Sequence, residues 1–154
     1  MTLKFPVHIP FVERLGFELV SVGQGEAELA LDLAEAHLNS WNVAHGGVVM
    51  TLLDVAMAHA ARSVNRKIHE DGTPDFGPGV VTVEMKTSFM RPGEGRLRAT
   101  GRLLHRSTTM AFTEGSVLDE HGKLCAHATG TFKYLRALPG RGHAIKPLNG
   151  KPGE

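Results

Sequence analysis

Two features of the sequence could do chemistry together. His45-Gly46-Gly47 stands where a polar loop gives way to an apolar run, and Asp54 follows nine residues after the histidine. Residues 46–64 contain no proline and end among Arg62, Arg66 and Lys67, which marks one long helix with cations suited to its C-terminal end. The first N–H groups of a helix lack intrahelical acceptors and carry partial positive charge, so the 45–47 segment could hold an oxyanion or a phosphate. Glycines there let a ligand approach the backbone closely. Asp54 lies about two turns in, too deep to cap the helix, and its neighbours Met50, Thr51, Met57 and Ala58 include no cation. Between residues 46 and 61 the only polar side chains are Thr51, Asp54 and His59, so the helix reads as buried all round. An unpaired carboxylate in such a place is costly or shifted in pKa, and groups perturbed in this way concentrate at functional sites.

An oxyanion donor set joined to a buried carboxylate suits acyl transfer to water. The carboxylate activates water or attacks the carbonyl itself, and the helix-end N–H groups stabilise the oxyanion. Each feature has a plainer alternative: Asp54 could pair with an arginine or backbone amides from elsewhere, and the glycines could serve packing. His59 sits five residues after Asp54, roughly 140° further round the helix, and reads as a packing histidine. Cys125, in the alternating run LCAHATGTF, reads as a small core residue. There is no GxSxG elbow, Walker loop or GxGxxG, and no metal-ligand spacing follows His45. Serine-nucleophile, nucleotide-hydrolysing and metal-dependent chemistries are disfavoured, and neither a metal nor a cofactor is expected.

The elements that must position these residues belong to one domain. A chain of 154 residues, 42% hydrophobic and 21% charged, has length for about one core. Seventeen basic against sixteen acidic residues leave a formal charge of +1, too little for a general nucleic-acid binder. The single Cys125 excludes an internal disulfide framework and fits a reducing compartment. No apolar run exceeds four residues, whereas a bilayer span needs about 20. Pro6, His8, Pro10, Glu13 and Arg14 interrupt any signal-peptide core. A soluble, cytoplasmic protein with neither nucleic acid nor membrane as partner is expected.

Residues 8–16 read as a short opening helix, followed by strands over 17–22 and 26–33, the second alternating Ala27, Leu29, Leu31 and Leu33 with mostly polar neighbours. The long helix comes next. After a loop rich in Gly, Pro and Asp over 69–79, four strands are expected over 80–90, 94–105, 109–119 and 123–135, the last two joined by a hairpin near His121 and Gly122. An antiparallel sheet wrapped on one buried helix satisfies that order, in the α+β class. Residues 1–138 make the expected domain and 139–154, rich in turn formers, a loose tail. Basic residues concentrate between 86 and 106, where Arg91, Arg96, Arg98, Arg102 and Arg106 could coat the solvent face of strands or meet an anionic ligand.

The run HLNSWNVAHGG over residues 37–47, followed by VVMTLLDVA over 48–56, resembles the signature of the PaaI-type acyl-CoA thioesterases of the hotdog superfamily. Asn39, His45 to Gly47 and Asp54 fall at the recurring positions, and the resemblance continues through VTVEMKTSFMRPGEG to HATGTFKYL, roughly residues 37–134. It implies a hotdog fold, a long helix wrapped by a curved antiparallel sheet, in a homo-oligomer. Two active sites would form at a dimer interface, and tetramers of two such dimers are common in the family. By that resemblance Asp54 is general base or nucleophile on an acyl-CoA thioester, and the Gly46 N–H polarises its carbonyl. Asn39 and His45 position substrate or water, and Thr82 helps hold the attacking water. Gly46 and Asp54 would come from opposite subunits.

Gly47, within the same donor set, and the charges of Arg91 and Arg106 are candidates for binding substrate, the arginines through coenzyme A phosphates. Three positions depart from the family pattern: Asn42 and Ser107 stand where glycine is usual, and Ala58 where a glycine is often seen. Asn tolerates left-handed backbone angles better than most residues, so the turn at 42 is expected to survive. A hotdog dehydratase and a non-catalytic acyl-CoA-binding hotdog protein are the competing functions; 154 residues leave no room for the DNA-binding segment that hotdog sensors add. The acyl group stays open, with Met50, Met57 and Trp41 as candidate pocket residues.

Overall fold

The computed structural model describes residues 2–136, so the tail expected from residue 139 lies outside the described residues. Helix α1 (Pro10–Leu15) starts on a proline, which needs no N–H there, and stops at Gly16, whose φ of 75° is left-handed. Strands β1 (Glu18–Gly23) and β2 (Glu26–Asp32) form a hairpin whose turn places Gln24 and Gly25 at positive φ. A 3-10 turn, Glu35–His37, leads to the long helix α2 (Gly46–Ser63). A two-stranded ribbon, β3 (Lys67–Ile68) with β4 (Pro74–Asp75), follows, and then β5 (Gly79–Phe89), β6 (Arg96–Arg106), β7 (Met110–Leu118) and β8 (Leu124–Leu135). Two strands, one long helix and four strands are present as expected. The 3-10 turn and the ribbon are additions, the ribbon closed by Asp71, whose carboxylate accepts from the Thr73 N–H and hydroxyl.

The six long strands form one antiparallel sheet in the order β1-β2-β6-β7-β8-β5. α2 packs across all six of its strands. Leu52, Leu53, Ala56, Met57 and Ala60 of the helix are fully buried, as are Leu29, Leu97, Val117 and Phe132 of the sheet. Each large apolar side chain so placed contributes about 1.5–3 kcal/mol. Helix and sheet pack tightly at Gly101 of β6, where an added Cβ would stand 2.4 Å from the Ala56 backbone. Only glycine fits there, which is how β6 passes beneath the helix. On the sheet's outer face Arg96 pairs with Glu18 and Asp32, Arg98 with Glu28, and Arg102 with Glu114. These three arginines are ordinary strand-face cations, and exposed pairs of this kind add little stability.

One expectation needs correction. α2 is not buried all round: Gly47 is exposed, and Thr51, Asp54, Ala58 and Arg62 are only half-buried, a stripe along one side. Small residues such as Gly47 and Ala58 read as apolar in the sequence but do not cover that side. The stripe runs beside β5, which has β8 on one flank and no strand on the other among the described residues. Val83 and Phe89 on this free edge are 55% and 53% exposed.

Candidate active site

Loop 38–45 is built around Asn39. Its Oδ1 accepts from the backbone N–H of Trp41 at 2.8 Å and of Val43 at 3.3 Å, while its own N–H donates to Val43 O at 2.9 Å. The tight turn this makes puts Asn42 at φ 58°, so asparagine does serve as the left-handed residue expected in place of glycine. With Oδ1 committed to the loop, Asn39 can meet a substrate only through its Nδ2 donors.

His45 caps α2. Its Nδ1 accepts from Gly47 N–H at 2.9 Å, so the ring proton sits on Nε2. That bond consumes the Gly47 N–H. The Gly46 N–H has no acceptor among the described residues, and the donor set for an oxyanion narrows to Gly46. Beneath the loop lies a residue that the sequence did not single out. His37 is buried; its Nδ1 accepts from Ala34 N–H at 2.9 Å, its Nε2 donates to Leu15 O at 2.7 Å, and its carbonyl takes the His45 N–H at 2.8 Å. His37 thus ties the end of α1 to the start of α2, and its place at the head of the HLNSWNVAHGG run was the available signal.

Among the described residues Asp54 is bound by neither an arginine nor backbone amides. Thr82 Oγ1 donates to its Oδ1 at 2.6 Å. Burial pushes the Asp54 carboxyl above the ordinary aspartate range, and the Thr82 hydrogen bond opposes part of that rise. Thr82 is aimed by a β-bulge: the β5–β8 register slips between Thr82 and Glu84, leaving Val83 as the extra residue.

Gly46 and Asp54 are eight residues apart on one helix, about 12 Å along its axis. They line separate grooves beside the seam between α2 and β5. One, of about 660 Å³, contains Asn39, Trp41, Gly46, Phe89, Arg91 and Cys125. The other, also about 660 Å³, contains Asp54, Ala58, His59, Arg62, Val80 and Thr82. Arg91 therefore lies on the Gly46 side. Arg106 lies in neither groove; its Nη1 donates to Asn65 Oδ1 at 2.6 Å, beyond the far end of α2. Trp41 is 83% exposed, whereas Met57 is fully buried and faces the core rather than a groove. Cys125 is buried as expected, and desolvation pushes its thiol up. Among the described residues no cluster of His, Cys, Asp and Glu could hold a metal, and no helix is long and apolar enough to cross a membrane.

A long helix cradled by a six-stranded antiparallel sheet, with a carboxylate and a free helix N-terminus flanking one open seam, is the hotdog fold of thioester hydrolases. Residues 42–126 match the family model of the thioesterase superfamily, and the chain belongs to that family. It is 29% identical to the medium/long-chain acyl-CoA thioesterase YigI of Salmonella typhimurium over 135 residues, 83% of this chain and 87% of that protein. Among solved structures it resembles conserved protein PA5202 from Pseudomonas aeruginosa, with 32% identity and a TM-score of 0.73 over 84% of this chain and 97% of that one. A mutant of the phenylacetic acid degradation protein PaaI from Thermus thermophilus is 29% identical, with a TM-score of 0.70 over 82% of this chain and 100% of that one. The resemblance seen in the sequence holds, and the chain is a thioesterase.

Proposed function

We propose that the protein hydrolyses acyl-CoA thioesters in a site shared by two protomers, with residues 1–138 acting as one catalytic domain in the cytoplasm. The observation that carries this is the pairing of Asp54 with Thr82 in one groove while the unclaimed Gly46 N–H opens into another, about 12 Å along the same helix. Within one protomer the two cannot act on one carbonyl. Pairing the free β5 edges of two copies would bring the stripe of one α2 towards the Gly46 groove of the other and cover the exposed Val83 and Phe89. Dimers, or tetramers of two such dimers, are the assemblies that make the site complete.

In that site the thioester carbonyl oxygen accepts from the Gly46 N–H of one protomer. The Asp54 carboxylate of the other, held at Oδ1 by Thr82, uses Oδ2 to take a proton from water as the water oxygen bonds to the carbonyl carbon. Collapse of the tetrahedral intermediate breaks the C–S bond and releases the free acid. The proton returns from Asp54 to the departing coenzyme A thiolate. Direct attack by Asp54 Oδ2, through an anhydride that water then opens, uses the same geometry. His45 offers its Nε2–H, and Asn39 its Nδ2 donors, to substrate or water. Gly47 contributes as the partner that orients His45. Arg91 beside the Gly46 groove is the candidate contact for a coenzyme A phosphate, whereas Arg106, beyond the far end of α2, could offer one only with the donors not spent on Asn65.

The test is thiol release from short, medium, branched and aryl acyl-CoAs by the wild type beside Asp54→Asn. Release that disappears in the variant supports this function. Tight acyl-CoA binding without thiol release makes the protein a binding module instead, and hydration of an enoyl-CoA makes it a dehydratase.

A further inference from the structure

Strand β5 carries two opposite charges beside its free edge that the protomer leaves unpaired. Glu84 and Lys86 are exposed on the outer face of the sheet, opposite Thr131 and Thr129 of β8, while Met85 between them points inward and packs against the core. The cations of β6 each have a carboxylate: Arg96 meets Glu18 and Asp32, Arg98 meets Glu28, and Arg102 meets Glu114. Neither Glu84 nor Lys86 makes an ion pair among the described residues. Thr131 Oγ1 donates to Glu84 Oε1 at 2.7 Å, which holds the carboxylate on the outer face and leaves Oε2 for a cation. An antiparallel edge that pairs with its own copy keeps inner face with inner face only in registers two residues apart. With Met85 on the two-fold axis, Glu84 of each copy stands opposite Lys86 of the other. One step to either side sets Lys86 against Lys86 or Glu84 against Glu84, and like charges directly opposite are destabilising.

We propose that β5 pairs with β5 of a second copy of this chain with Met85 on the axis, and that two reciprocal Glu84–Lys86 pairs select this register. The inference rests on the proposed sharing of the site by two protomers. It agrees with what that site needs. The Val83 bulge takes up one residue, so the same register lays Phe89 against Val80 of the second copy. The Phe89 ring stands 3.6 Å from the position of a Cβ on Gly46 and lines its groove, and Val80 lines the groove of Asp54. The pairing that satisfies the charges therefore brings the Gly46 end of one copy to the Asp54 end of the other.

Charge exchange on this exposed face tests the pairing. Glu84→Lys leaves two cations on each copy and Lys86→Glu two anions, so either change alone sets like charges opposite each other twice per dimer. The dimer dissociation constant, read by analytical ultracentrifugation, should rise about tenfold or more in each. Both changes in one chain exchange the charges and should restore the wild-type value to within about threefold. Mixed together, the Glu84→Lys and Lys86→Glu chains should form the heterodimer at least about tenfold above the statistical ratio by native mass spectrometry. Met85→Cys should form a disulfide across the axis on mild oxidation, and adding Glu84→Lys to it should slow that step about tenfold. A wild-type dimer whose variants mix at random, or in which Met85→Cys does not cross-link, would overturn this register and leave the shared site standing. A wild-type chain that is active as a monomer would overturn both.

Discussion

Thr82 on the sheet's free edge strand donates its hydroxyl to Asp54 on the central helix at 2.6 Å, and this bond joins the two elements that border the open seam. It crosses 28 residues of sequence and binds only one carboxylate oxygen. Asp54 is thus held in place without being neutralised, since its partner brings no charge. A salt bridge to an arginine would have fixed it equally well and lowered its basicity.

Asp54→Asn should abolish thiol release, with a loss of about 10²-fold to 10⁴-fold, while the fold persists. It should also raise the melting temperature at neutral pH. The Asp54 pKa is raised in the folded state, so its contribution to stability is greatest at low pH and is lost as pH rises through the folded value. At pH 7 the ionised carboxylate is a liability that the amide removes. Thermal unfolding of the two proteins at pH 4 and pH 7 checks the sign: the variant's advantage should be larger at pH 7.

Catalysis needs ionised Asp54, so kcat/KM should fall as pH drops through its raised pKa, above the range of an ordinary aspartate. Thr82→Val removes the one hydrogen bond that lowers that pKa. The acid limb should then move to higher pH and kcat should drop, with KM less affected; Thr82→Ser should restore both. A pH–rate profile for each variant reads this directly. An acid limb unmoved by Thr82→Val would remove Thr82 from the mechanism.

Gly101→Ala should destabilise the protein by about 1–3 kcal/mol or more, because the new methyl group meets the Ala56 backbone 2.4 Å away and neither partner is a flexible side chain. The urea midpoint should fall accordingly. A midpoint at the wild-type value would mean that helix and sheet can separate at this crossing without cost.

The strands, the long helix and the sheet class were legible because period-2 runs, turn residues and one proline-free apolar stretch each point to a single local structure. The Asp54 neighbourhood was legible only in part. Its isolation from cations on its own helix was visible in Met50, Thr51, Met57 and Ala58, whereas Thr82 entered only through the family resemblance, as a holder of water, because it lies 28 residues away and reaches Asp54 through a bulge at Val83. The open stripe was hidden because hydropathy counts Gly47 and Ala58 as apolar without regard to how little surface they cover. Arg91 and Arg106 looked alike in sequence, yet the tertiary fold sends them to opposite ends of α2. His59 was read as packing from its angle on the helix, and no local pattern could show that one of its nitrogens would be left without a partner among the described residues.

A shared site predicts that two inactive variants can rescue each other. Gly46→Pro deletes the unclaimed Gly46 N–H, and proline is well suited to the first position of a helix. His45 before it already has the extended angles φ −61° and ψ 137° that a pre-proline residue prefers, and an added Cβ meets nothing nearer than the Phe89 ring at 3.6 Å. Gly46→Pro and Asp54→Asn should each be inactive alone. Unfolded together and refolded as a mixture, half of the dimers pair one of each, and each such dimer has one site with Gly46 and Asp54 both intact. Activity should recover to about a quarter of the wild-type value, as the statistics of a two-fold assembly require. No recovery in a mixture shown by mass spectrometry to contain the mixed dimer would place both residues in one protomer's site and end the shared-site proposal.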